Sequence, residues 1–280
     1  MTEYTFETPQ PIKLDIKNLA GDVTVRALAV DQTRVALTGR HADEATVAET
    51  ADGVTIRSPL CEKADVFPLH NTLRRHRIDV DVDVPLGSEV VLVLGAGDTA
   101  ITGELGRLDL RPGAGRVSVG QAAGDLSVHL GAGSITVDTI GAAAKVVSGA
   151  GSVNIGHVSG RADIQVGTGE ISIESVSGSS RVKTGAGSVR AKEVTGDLQA
   201  ESGIGGAVVE RISAGSFTFK GTGGGVKIGV AEGVPVWTDL ASVMGSVRNS
   251  LPSVGEPLPG QDHVELKVNI VSGGIELKPA

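Results

Sequence analysis

Residues 131–192 read GAGSITVDTIGAAAKVVSGAGSVNIGHVSGRADIQVGTGEISIESVSGSSRVKTGAGSVRAK. Within this stretch a Gly-x-Gly triplet returns every 18 residues, at Gly131/Gly133, Gly149/Gly151, Gly167/Gly169 and Gly185/Gly187. Working outward, the same spacing picks up Gly95/Gly97 and Gly113/Gly115 on one side, and Gly203/Gly205 and Gly221/Gly223 on the other. A second column of small residues falls nine positions after each triplet, at Gly106, Gly124, Ala142, Gly160, Gly178, Gly196 and Ala214. Each 18-residue unit therefore holds two short runs and two corners, which is the pattern of a β-solenoid coil rather than of a helical repeat. All sixteen triplet glycines read as structural turn residues. Reversing a chain within a few residues needs positive φ or close backbone approach, and a Cβ penalises both.

Between the glycines the apolar residues fall into columns. Val117, Ile135, Val153, Ile171 and Val189 follow the triplets by two positions, and Val119, Val137, Ile155 and Ile173 follow them by four. A further set runs Leu108, Leu126, Ala144, Ala162, Ser180, Leu198, with Leu110, Val128, Val146, Ile164, Val182, Ala200 beside it. Alternation with polar residues turns these columns inward, so each coil buries its apolar row only against the coils above and below. The fold class predicted is all-β, a parallel β-helix of about ten coils and ~50 Å in length at one strand spacing per coil. One domain is expected over 1–280: diverged coils over 1–84 with a loop at 58–77, regular repeats over 85–230, and diverged coils over 231–280 with a loop at 249–262. Phe217, Phe219 and Trp237 fall near the last coils and are expected to cap them; the 2% aromatic content suits an interior too thin for rings.

Composition bounds the function. The net charge of −8 argues against nucleic acid or an anionic membrane, because phosphate binding rests on a basic excess. No stretch approaches the ~18 apolar residues that would span a bilayer. The N-terminal Met-Thr-Glu-Tyr-Thr-Phe-Glu carries acid where a signal peptide has base and an apolar run, so a cytoplasmic location is expected. The lone Cys61 allows no intrachain disulfide.

Chemistry-bearing groups do not converge in the sequence. Asp79, Asp81 and Asp83 alternate along one strand face, spaced too far apart for one calcium ion, and read as a solvated face. A calcium β-roll would place Asp in each glycine turn, whereas the triplets are followed by Asp98, Arg116, Ser134, Ser152, Glu170 and Ser188. Cys61, Glu62, His70 and His76 match no strong zinc spacing. His129 and His157 stand on different columns, and Gly203-Ile204-Gly205-Gly206 and Gly221-Thr222-Gly223-Gly224-Gly225 lack the helix and Gly-Lys-Ser/Thr of a phosphate loop. No catalytic residue, cofactor or metal site is predicted. On the exterior, Lys145, Asp163 and Arg181 are expected to lie side by side on adjacent coils.

The opening Asn18-Leu19-Ala20-Gly21-Asp22-Val23-Thr24-Val25, the serial Gly-Ala-Gly-Ser-Val/Ile units and the closing Val271-Ser272-Gly273-Gly274-Ile275 together resemble the DUF4097 family of bacterial candidate adhesins. The resemblance spans nearly the whole chain and is weakest over 58–77 and 249–262. It implies a β-solenoid with an adhesin-like role and supplies no catalytic residues. The expected function is a non-enzymatic structural or interaction module, with a protein partner or with self-association through uncovered coil ends. A surface carbohydrate is the second class of partner. The alternative is a carbohydrate-active β-helix enzyme, a lyase or hydrolase, which would need carboxylates converging on neighbouring coils.

Overall fold

The computed structural model describes residues 1–59, 77–252 and 263–280. Cys61, Glu62, His70 and His76 lie outside them, as does most of the expected loop at 249–262. The described residues form 24 strands and one short 3-10 segment, Ala42–Glu44. The chain is all-β, in two compact units, Met1–Asp138 and Thr139–Ala280.

In the second unit the strands are β12 (Ala143–Val158), β13 (Arg161–Thr168), β14 (Ile171–Val176), β15 (Ser179–Ala186), β16 (Val189–Val194), β17 (Asp197–Ile204), β18 (Ala207–Ile212), β19 (Gly215–Gly223) and β20 (Val226–Val230). From β13 to β18 each strand pairs in parallel with the strand two further along the chain. Two ladders result. One stacks Val153, Ile171, Val189, Ala207 and Val226, and the other stacks Val146, Ile164, Val182, Ala200 and Phe219. Every one of these side chains is no more than 1% exposed, so the columns read from the sequence are the core. A pairing offset equal to the repeat length places like residues on one another, which keeps every inward row apolar.

One pairing departs from the 18-residue offset. Asp197 pairs with Ser216 and Ile204 with Gly223, an offset of 19, so Ala214 is an inserted residue. Gly215, at φ +81°, takes the stacking place over Gly196 that the spacing gave to Ala214. Downstream, the chain does not stack in sequence order. β21 (Val236–Met244) and β22 (Val247–Asn249) are made first, yet β23 (Val264–Ser272) pairs between β19 and β21, and β24 (Ile275–Pro279) between β20 and β22.

That order corrects the expected aromatic cap. Phe217 and Phe219 are fully buried, with ring centroids 6.5 Å apart, between the β17 residues Leu198 and Ala200 and the β23 residues Leu266 and Val268. Ala200, small and directly opposite Phe219, helps make room for a ring inside the coil. Trp237 stands apart from them on β21, 71% exposed.

The first unit begins with β1 (Thr2–Glu7), β2 (Lys13–Ala20), β3 (Val23–Leu28), β4 (Gln32–Gly39), β5 (Thr46–Thr50) and β6 (Gly53–Arg57). β7 (Ile78–Pro85), β8 (Glu89–Ala96), β9 (Thr99–Thr102), β10 (Leu108–Ala122) and β11 (Leu126–Ile140) follow. β2 lies between β6 and β8, and β3 between β7 and β9, all in parallel. The outer strands are not parallel: β4 runs against both β7 and β1, and β5 against β6 through the turn at Ala51-Asp52. A wholly parallel solenoid is therefore corrected for 1–57. The two-residue β5–β6 connection allows only an antiparallel pair, since a parallel one needs a crossover of a dozen or more residues.

Candidate functional site

The triplet glycines define the corners. The second member of seven pairs, Gly97, Gly115, Gly133, Gly151, Gly169, Gly187 and Gly205, has φ between +130° and +148°. A Cβ on Gly187 would overlap the Gly169 carbonyl oxygen one coil away, and Gly169 and Gly205 meet the same obstacle. The first members, including Gly95, Gly113, Gly131, Gly167, Gly185 and Gly203, do without positive φ, but a Cβ there also presses on a carbonyl of the neighbouring coil. Strand pairing continues through several triplets, as in β10 and β12, so these corners bend an extended chain rather than reverse it. Gly221 and Gly223 are the exception: the 19-residue offset carries them out of the column, Gly224 takes the positive φ of +121°, and a Cβ on Gly223 would meet nothing within 4 Å.

Beside the glycine corner of the second unit runs an open groove of about 850 Å³. Its wall is a register row, Val147, Gln165, Lys183, Glu201, Lys220 and Asn269, one residue from each successive strand. Gly167, Gly185 and Gly203 line it, together with the buried row Ser148, Val166, Thr184 and Ser202. Lys183 and Glu201 pair at 3.0 Å, both partly exposed. Ser202 Oγ donates to Gly187 O at 3.2 Å, whereas the hydroxyls of Ser148 and Thr184 are buried without a hydrogen-bond partner among the described residues. Polar side chains of both signs thus repeat at one strand spacing, ~4.8 Å, which suits an extended chain lying across the coils.

Other clusters resolve into structural roles. The Asp79, Asp81 and Asp83 face is neutralised by two arginines: Arg26 Nε donates to Asp83 at 2.7 Å and its Nη1 lies 3.5 Å from Asp81, while Arg77 donates to Asp79 at 3.0 Å and to Asp22 at 2.6 Å. The hydrogen bond that Arg26 donates to Asp83 raises its pKa, and the one that Arg77 donates to Asp79 does the same. Both guanidinium groups therefore stay charged at neutral pH and well above it. Sequence reasoning missed these arginine partners, because Arg26 meets Asp83 only through the β3–β7 register. A second missed device links the turns. Asp79 accepts from the Asp22 backbone N–H, Asp22 from that of Asp98, and Asp98 from that of Arg116, at 2.8–3.0 Å.

Lys145, Asp163 and Arg181 do lie side by side, but Asp163 accepts from Gln165 and Arg181 donates to Gln199 Oε1 in place of an ion pair. On the opposite ladder Lys192 pairs with Glu174 at 2.6 Å, a hydrogen bond that raises the lysine pKa. His157 shares a hydrogen bond with Ser175, and Glu193 follows Ser175 in the same row. The order is wrong for a nucleophile triad, since the acid flanks the serine instead of orienting the imidazole. Among the described residues no cluster of three or more His, Cys, Asp or Glu could hold a metal ion, and no helix is long and apolar enough to cross a membrane.

No family model and no curated protein matches the chain. Solved structures similar to it include candidate adhesins from Bacteroides fragilis, at 12% identity, and Parabacteroides distasonis, at 11%, each with TM-score 0.35 over 99% of this chain and 96% of that one. A candidate cell adhesion protein from Clostridium sporogenes matches at 10% identity and TM-score 0.22, over 100% of this chain and 99% of that one.

Proposed function

We propose that the chain is a β-solenoid acting as a non-enzymatic, adhesin-like interaction module, and that its groove binds an extended segment of a protein partner. The observation that carries this reading is the row Gln165, Lys183, Glu201, Lys220 and Asn269, in which amides, ammonium groups and a carboxylate stand on successive strands beside the glycine corner. An extended chain crossing several coils meets a polar group at every strand, whereas a compact substrate would touch two of them. Support for the solenoid comes from the i-to-i+2 parallel pairing at constant offset.

The test compares the wild-type chain with the double variant Lys183→Glu/Lys220→Glu in binding to an array of extended peptides and linear polysaccharides. Peptide binding weakened roughly tenfold or more by the reversal, with unchanged melting, is the expected result. Turnover of polysaccharides or generic esters by the wild type would overturn the non-enzymatic reading. Retention of polysaccharide alone would move the partner class to carbohydrate.

A further inference from the structure

Within the second unit β21 is an edge strand, with the sequence Val236-Trp237-Thr238-Asp239-Leu240-Ala241-Ser242-Val243-Met244. Among the described residues it pairs with β23 alone, so one of its edges carries unspent backbone groups. The Val264 N–H donates to Pro235 O, which fixes the alternation: odd-numbered residues face β23, while Val236, Thr238, Leu240 and Ser242 turn their N–H and C=O groups outward. Trp237, Val243 and Met244 are 71%, 77% and 63% exposed. The single charge on the strand, Asp239, is matched by Lys267 of β23 at 3.4 Å. Long apolar edges of this kind pair with another chain unless charge, proline or a bulge prevents it. The outer strands of the first unit are defended in that way, with Glu3 and Glu7 on β1 and Glu49 on β5.

We propose that β21 is the contact strand of a symmetric dimer, joined antiparallel to β21 of a second copy with the two-fold axis at Leu240. The strand is self-complementary about that residue. Antiparallel pairing there sets Trp237 against Val243, Val236 against Met244, Thr238 against Ser242 and Leu240 against itself. Aromatic against β-branched and hydroxyl against hydroxyl are favourable cross-strand pairs. Asp239 falls opposite Ala241 and so avoids its own copy, and the outward-turned groups of Thr238, Leu240 and Ser242 become the hydrogen-bonded pairs of the new ladder. A closed two-fold contact uses each edge once, so assembly stops at two chains. This inference does not rest on the groove, and either can fail without the other.

Sedimentation equilibrium across a concentration series reads the outcome. The wild type forms a dimer and nothing larger. Trp237→Glu and Val243→Lys each weaken dimerisation roughly tenfold or more. The double variant Trp237→Glu/Val243→Lys regains most of that loss, because the introduced acid faces the introduced base across the axis. Thr238→Pro removes one outward N–H without touching the β23 ladder, so it abolishes the dimer while leaving the melting temperature of the monomer unchanged. A wild type that is monomeric at every concentration, open-ended polymers, or a double variant no tighter than the singles would overturn the proposal.

Discussion

Glycines that look alike in sequence differ in what their backbone asks of them. Gly187 has φ +145° and a Cβ there would collide with the Gly169 carbonyl; Gly223 has neither constraint. Gly187→Ala should therefore cost about 3 kcal/mol, from the rare φ and the displaced neighbour together. Gly223→Ala should stay within about 0.5 kcal/mol, as an exchange away from any such feature does. Urea denaturation of the two variants checks the contrast, and equal losses would contradict it. Thr99 presents the converse case. It is 1% exposed in the column of Val23 and Val117, and its hydroxyl has no hydrogen-bond partner among the described residues. Thr99→Val keeps the shape and removes an unpaired polar atom, so stability should rise by about 1 kcal/mol in the same denaturation assay.

Among the elements, register decides what is tolerated. Ala214 is the extra residue of a 19-residue coil, so its deletion should leave β19 in place against β17 and β23 and shift stability by no more than about 1 kcal/mol. Deleting Gln199 from the middle of β17 should fail, because a one-residue slip turns Ala200 and its column toward solvent. Circular dichroism melting separates the two outcomes. Spacing made the middle of the chain legible: Val153, Ile171 and Val189 stack as read, since an 18-residue period and two-residue alternation jointly specify which side chain meets which. The ends were less legible. Nothing in the local sequence of β23 says that it slots between β19 and β21, and the antiparallel β4 reads like any other alternating strand, because edge order depends on loop closure and not on periodicity. The insertion at Ala214 was hidden for a narrower reason. Gly221 and Gly223 keep a Gly-x-Gly at the old spacing, although the shifted register puts Thr222 and Gly224 in those places. The groove was invisible because its wall residues differ from coil to coil, and only their alignment makes a surface.

Throughout the molecule, inward apolar columns hold neighbouring strands together while the exterior side chains differ from strand to strand. Stability then comes from neighbouring strands, and the strands with one partner should open first. Hydrogen exchange is expected to be fastest in β1, β5 and β22, each with one partner strand, and slowest in β14 to β18; uniform protection would contradict this ordering. The most direct test of the 18-residue stack is oxidative cross-linking in a Cys61→Ser background. Asn154 and Ser172 are register partners on adjacent strands, whose ~4.8 Å separation lies within disulfide range, whereas Asn154 and Arg190 stand two strands apart. An intramolecular disulfide is expected in Asn154→Cys/Ser172→Cys and none in Asn154→Cys/Arg190→Cys, read by mass spectrometry. A cross-link in the second pair and none in the first would contradict the 18-residue stack.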